Sequence, residues 1–351
     1  MPDRAATTPA FLIRINRSDL PPAARGAITR IVVEESLDSA GAFAIELNNW
    51  DMEAQQVKWS DETLFDPGSL VEIQLGYVEA VETVMIGEIT GLELLFPEQV
   101  RALLTVRGCD RLHRFRRGRR TRSYLQVKDS DVAQQLAGEL ELSPDVEDSG
   151  EIHPYLLQIN QTDIDFLLGR ARTIGYELWV EDKTLHFRKV KHNLGKTVTL
   201  DFLHGLMNFY AYLSTAEQVS QVTVRSWDAK AKQPLVGRAQ PGDVTGAMQG
   251  RRNGPAAVQA LFGAKTLTVV DQTVATQNEA DLLAKGMLDD IALNYITGEA
   301  IAVGDPALKA GAVVEIGGLG QRFSGLYYIT HLTHVWDGQF ATHLRLRRNA
   351  S

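Results

Sequence analysis

The sequence predicts a mainly β protein with an α+β insert: two duplicated β-barrel domains, a small α/β domain and one amphipathic helix. Three observations carry this. Apolar residues alternate with period two through most of residues 11–108 and again near the C-terminus, one β pattern is written twice, and a helical period replaces the alternation only in a few stretches. In the repeat, "DPGSLVEIQLG" with "MIGEITGLELLF" (66–96) matches "KAGAVVEIGGLG" with "FSGLYYITHLTHVW" (309–336). A turn glycine, Gly68 or Gly311, precedes an apolar-acidic-apolar strand carrying Glu72 or Glu315. A reversal follows, and then a second strand with Ile89-Thr90 or Ile329-Thr330, in which Gly87 and Gly325 are read as counterparts. Two similar modules in one chain present pseudo-equivalent surfaces, which suits assembly better than catalysis.

Along the chain, "FLIRIN", "ITRIVVEES", "AFAIELNN", "LVEIQLGY", "TVMIGEITGLELLF" and "ALLTVRG" alternate between turn residues Pro21-Pro22, Gly41, Pro67-Gly68 and Pro97. Such runs predict an antiparallel sheet closing toward a barrel or sandwich, assigned to residues 1–120. Residues 121–195 read as a small α/β insert. "KDSDVAQQLAGELEL" stacks Val132, Leu136 and Leu140 behind a Ser130 or Asp129 cap. "QTDIDFLLGRARTIG" stacks Phe166, Leu167, Ala171 and Ile174, with Gly175 ending it. A hairpin then turns at Glu181-Asp182-Lys183. The second barrel is assigned to residues 196–236 and 295–351, interrupted by a loop and helix over 237–294. Eight Gly and Pro residues make 237–263 a long loop, and the Thr276–Glu279 capping box starts a helix over 277–294.

The chain has 351 residues, enough for two or three domains, with 44% hydrophobic and 23% charged residues and a net charge of −8. The charge argues for solubility alone. Cys109 is the sole cysteine and reads as a small buried apolar residue, so the fold needs no disulfide. The N-terminal "MPDRAATTPAFLIRIN" lacks an apolar signal-peptide core, and no stretch of about 18 uncharged apolar residues occurs. Synthesis in the cytoplasm without a signal peptide, and no membrane insertion, are the expectations.

Catalytic, cofactor-binding and metal residues are all expected to be none. His331 and His334 lie three apart on a strand and so face opposite sides, and His343 brings no matching carboxylate. "GGLGQRFSG" (317–325) superficially resembles a phosphate loop, yet a strand follows it rather than a helix, so a β-turn is the reading. No nucleophile elbow, zinc-protease or nucleotide-loop pattern is present. The chemical peculiarity is "RLHRFRRGRRTRS", which crowds Arg111, Arg114, Arg116, Arg117, Arg119, Arg120 and Arg122 together. Like charges at ~4 Å repel by roughly 1 kcal/mol even in water, so a partner or good solvation must offset the crowding. A solvated loop, docking on an acidic protein surface and nucleic-acid binding all remain open. Docking is favoured, because the rest of the chain is acidic and offers little aromatic platform.

Six segments in order, "LFDPGSLVEIQLGY", "IGEITGLELLFP", "LTVRGCDRLHRFRRGRRTRSY", "QTDIDFLLGRARTIGYELWVEDKTLHFRK", "VSQVTVRSWDAKAKQPLVG" and the stretch from "GDPALKAGAVVEIGG" to "THLRLRR", resemble the phage late control D tail-hub family, itself similar to the N-terminal hub region of VgrG-type spike proteins. The resemblance implies a trimeric structural hub of a contractile tail or contractile injection system baseplate. Each protomer would supply two tube-like β-barrels, so that three chains mimic a sixfold ring between the inner tube and a threefold spike. It also implies incorporation into a phage tail or injection particle, with inner tube protein, spike and other baseplate components as partners and no small-molecule substrate. The chain stops soon after Trp336, so a separate spike polypeptide is expected. The alternatives are a tail-associated cell-wall hydrolase, or a nucleic-acid-binding protein acting through 111–122.

Overall fold

The computed structural model describes residues 8–60, 63–98, 102–191, 198–228, 230–272 and 274–351. Residues 1–7 and the expected boundary at 195/196 lie outside them. The alternating runs form strands β1 (Pro9–Ile15), β2 (Ile28–Ser36), β3 (Ser39–Asn48), β4 (Leu70–Tyr77), β5 (Ala80–Leu95) and β6 (Leu103–Cys109). They lie in the order β1-β4-β5-β6-β3-β2, all neighbours antiparallel. In β3 the inward residues Gly41, Phe43, Ile45 and Leu47 are buried while their neighbours are not. This two-residue period turns a sequence pattern into one apolar face.

The insert contains β7 (Arg120–Val127), α1 (Asp129–Glu139), β8 (Ser143–Val146), β9 (His153–Gln161), α2 (Asp163–Thr173), β10 (Tyr176–Glu181) and β11 (Thr184–Lys189), around a core of its own. Helix α2 starts at the Thr162 hydroxyl, which accepts from the Asp165 N–H, and ends before Gly175 at φ +67°. Helix α1 differs from expectation. Asp129 and Ser130 already lie in its first turn, and the Asp131 carboxylate accepts from the Lys128 N–H (2.9 Å).

Beyond the insert come β12 (Val198–Phe202), β13 (Gly205–Leu213), β14 (Gln221–Asp228), β15 (Gln233–Ala239), α3 (Gly254–Phe262), β16 (Thr266–Val269), α4 (Gln277–Leu293), β17 (Ile296–Val303), β18 (Val313–Gly317), β19 (Gly325–Trp336) and β20 (Phe340–Arg348). Strands β12-β18-β19-β20-β17-β13 form a closed six-strand barrel. Counted along the chain, both modules have the spatial order 1-4-5-6-3-2.

Their registers also coincide. Leu70 faces Glu88 as Val313 faces Tyr328, and the β-bulge between Ile89 and Gly91 recurs between Ile329 and His331. Gly68 N–H donates to the Ile89 carbonyl (2.8 Å) and Gly311 N–H to that of Ile329 (2.9 Å). A second bulge, Ile28/Arg30 in β2, matches Leu206/Asn208 in β13. Glu72 faces Arg14 of β1, and Glu315 faces Thr199 of β12. The modules differ at their first strand, since β1 runs antiparallel to β4 whereas β12 runs parallel to β18.

Several expectations need correcting. Gly87 and Gly325 are not equivalent: Gly87 faces Val71, whose counterpart Val314 faces Tyr327, and Gly325 lies two residues earlier. Residues 221–236 do not enter the second barrel. They form a three-stranded sheet of β15, β14 and β16 that shares a core with α4, because the inward side chains of β14 find their apolar cover on that helix. The loop expected over 237–263 contains α3, whose Asn253 side chain accepts from the Ala256 N–H (2.8 Å). Between β18 and β19, Gly320–Phe323 form a one-turn helix instead of a plain turn.

Candidate protein interface

Strand β19 is shared between the modules. Its first half pairs with β18, but from His331 to Trp336 that same edge pairs with β2, His331 facing Ser36 and Trp336 facing Ile31. The strand bends at the Ile329/His331 bulge, where the extra residue increases twist and lets one strand serve two sheets. Trp336 then meets Phe11 edge to face, with ring centroids 4.4 Å apart, while Phe340 enters the first module's core beside Tyr77. The Tyr77 hydroxyl donates to the Gly304 carbonyl across the joint (3.0 Å). Sequence reading missed these residues, since no local pattern reports which distant edge a strand will meet.

Acidic groups also line this region. The Glu35 carboxylate accepts from the Ala310 N–H (3.0 Å), tying β2 to the loop before β18, and burial pushes its pKa up to about 7. Asp110 accepts from the N–H groups of Gly41 (2.7 Å) and Leu112 (2.8 Å), and burial likewise raises it to about 7. The Gly41 bond ties β3 to the start of the arginine segment, and the Leu112 bond caps the 3-10 turn Arg111–Arg116 that opens it.

That segment is two populations of side chains. Arg111 is buried and pairs with Glu88 (3.4 Å) and with Asp182; Arg114 pairs with Glu88 as well. Arg120 and Arg122 share Glu139 (2.8 Å each) and Asp163 (3.5 and 3.2 Å). The chain's own carboxylates therefore offset most of the crowding for which a partner or solvent was expected. Burial pushes the Glu88 carboxyl up, but hydrogen bonds from Arg114 and His113 outweigh it and hold its pKa below the ordinary value. Arg116, Arg117 and Arg119 are exposed, and the only side-chain hydrogen bond found for them among the described residues is from Arg119 to the Asn160 carbonyl (3.0 Å).

A second buried cluster joins the insert to α4. Asp129 lies 2.5 Å from Arg170 and 2.9 Å from His153, and Glu279 lies 3.5 Å from both of those residues. The bonds from His153 and Arg170 overcome the burial of Asp129 and keep its pKa low. His334 is buried against the Thr342 hydroxyl (2.9 Å), and burial lowers its pKa to about 4; His331 and His343 are not buried. No group of three or more His, Cys, Asp or Glu that could hold a metal ion occurs among the described residues. Cys109 is half-buried, with its thiol pKa raised by burial.

The family model described as the Alg8 N-terminal domain matches residues 5–337. The chain belongs to the Alg8 N-terminal domain family. Solved structures similar to this family member include the 43 kDa tail protein of prophage MuSo2 from Shewanella oneidensis, with TM-score 0.72 and 14% identity, covering 97% of this chain and 98% of that one. The tail protein from Neisseria meningitidis MC58 aligns with TM-score 0.68 and 15% identity over 97% of each chain. The E. coli c3393 protein, a component of the type VI secretion system, aligns with TM-score 0.60 and 11% identity over 97% of this chain and 77% of its own. At such identities the likeness is one of fold, and the mainly β fold with its closed barrel is that of phage tail proteins. No curated protein matches the sequence. No helix among the described residues is long and apolar enough to cross a membrane.

Proposed function

We propose that this protein is the structural hub of a contractile tail or contractile injection system baseplate, of the late control D type and related to the hub region of VgrG-type spikes. The observation that carries the reading is the repetition of one six-strand topology, bulges and register included, within a single chain. Three such chains present six near-equivalent modules to a sixfold inner tube and three equivalent faces to a spike. The tail-protein fold supports the same reading.

In this role the chain performs no chemistry. It holds tube to spike, templates the first tube ring and transmits thrust when the sheath contracts, as part of a virion or injection particle. The division into two tube-like barrels, the 121–195 insert and the 237–294 insertion belongs to this proposal, with 221–236 moved to the inserted unit. So does a docking role for the exposed Arg116, Arg117 and Arg119 on an acidic baseplate surface. Co-expression with neighbouring sheath, tube and spike genes, followed by electron microscopy, tests the reading. One threefold ring of this chain between spike and tube is expected; assembled particles that lack the chain at that position overturn it.

A further inference from the structure

The joint inside the chain has two unfinished halves at its outer ends. In β19 the segment after the bulge pairs on one edge with β20 and on the other with β2. The equivalent segment of β5, Gly91–Leu95, pairs with β6 on one edge and has no strand on the other among the described residues. Likewise β2 is covered by β19, whereas β13, its equivalent, pairs with β17 and, among the described residues, offers its other edge beyond Leu206 to no strand. Leu332 and His334 are 0% exposed, while their equivalents Leu92 and Leu94 are 40% and 46% exposed. Phe96, equivalent to Trp336, is also exposed, as are Tyr210 and Tyr212 on β13. Long apolar edges of this kind are ones that folded proteins cover.

We infer that the free edge of β5 in one copy of the chain pairs antiparallel with β13 of a second copy, repeating between molecules the joint that β19 and β2 make within one. This rests on the hub reading and adds its strand-level contact. The shared bulges set the register: Leu92 faces Leu213, Glu93 faces Tyr212, Leu94 faces Ala211, Leu95 faces Tyr210 and Phe96 faces Phe209. Because side chains alternate, Leu92, Leu94 and Phe96 meet Leu213, Ala211 and Phe209 on a single face, an all-apolar set. Phe202 stands beside Gly318 as Phe11 stands opposite Leu75, the residue equivalent to Gly318, so Phe96 against Phe202 reproduces the Trp336–Phe11 pair. Each copy offers one donor and one acceptor edge, a heterologous contact that propagates until it closes into a ring.

Paired cysteines test this in a Cys109→Ser background of the full chain. Opposite residues in an antiparallel pair alternate between close and wide spacing, so Leu94→Cys with Ala211→Cys and Leu95→Cys with Tyr210→Cys place one pair at each spacing. Mild oxidation should give covalent oligomers with at least one double variant and none with the single variants. An oligomer by light scattering that neither pair locks overturns the edge pairing and leaves a trimeric hub standing. A chain that is monomeric at every concentration overturns the pairing and the trimer together. Leu94→Lys should weaken association about a hundredfold, the scale of a lost interface hot spot, with an unchanged melting curve for the monomer. Unchanged association of that variant also overturns the pairing.

Discussion

Phe340 belongs by sequence to the second barrel and by packing to the first. Its ring is 5% exposed and lies 6.0 Å from Tyr77 and 5.6 Å from His334, with Gly304 so close beneath that a Cβ there would strike the ring. Removing roughly 170 Å² of buried ring at ~25 cal/mol per Å² costs about 4 kcal/mol, and losing the aromatic pair adds about 1 kcal/mol. The unfolded chain already buries part of that surface, so Phe340→Ala should destabilise by about 3–5 kcal/mol. Urea unfolding followed by tryptophan fluorescence reads this in variants that keep either Trp50 and Trp59 or Trp336 as their only tryptophans, because Trp50 and Trp59 report on the first module and Trp336 on the joint. If the modules share a core, the first-module signal shifts to lower urea although the substitution lies on β20. A loss below about 1 kcal/mol, or a shift that spares Trp50 and Trp59, would refute the shared core. Phe340→Leu should retain most of the stability, and Gly304→Ala should cost about 1–3 kcal/mol by overpacking.

Glu35→Gln tests the buried carboxylate. The folded pKa is raised from 4.5 to about 7, so its contribution is fully present below pH 4.5 and is lost as pH rises through about 7. Discounted for partial exposure, the variant should gain about 2 kcal/mol on the parent between pH 4.5 and 8 in paired pH-dependent melts, and parallel curves would count against it. Asp129→Asn weakens the cluster holding Arg170 and His153, and a loss of about 3 kcal/mol in thermal unfolding is expected; a change under 1 kcal/mol would show that the ion cluster contributes little. Reversing Arg116, Arg117 and Arg119 to Glu should leave the melting curve within about 0.5 kcal/mol of the parent while blocking particle assembly, whereas Arg111→Ala should cost about 2 kcal/mol on its own. Normal particles from the triple variant would remove the docking role.

By itself the sequence determined what local periodicity and turn chemistry can encode. The alternation through β2 and β3, the helix ending before Gly175 and the one behind Thr276, and the duplication centred on Gly68 and Gly311 are all legible, because each pattern is written within a turn or strand of neighbouring residues. Register between the two copies needed the structure, which is why Gly87 and Gly325 looked like counterparts until the bulges aligned Ile89 with Ile329. Tertiary structure alone decided where edges and charges end up. The run of apolar residues in β14 fits a barrel or a small sheet equally well, and its cover by α4 made the choice. Seven crowded arginines read as a surface in want of a partner until folding brought Glu88, Glu139, Asp163 and Asp182 beside four of them. A strand's side chains declare which face is buried, but its hydrogen-bonding edge is the same backbone everywhere. Whether β19 meets β2, and whether β5 and β13 are left open, is settled by contacts hundreds of residues apart.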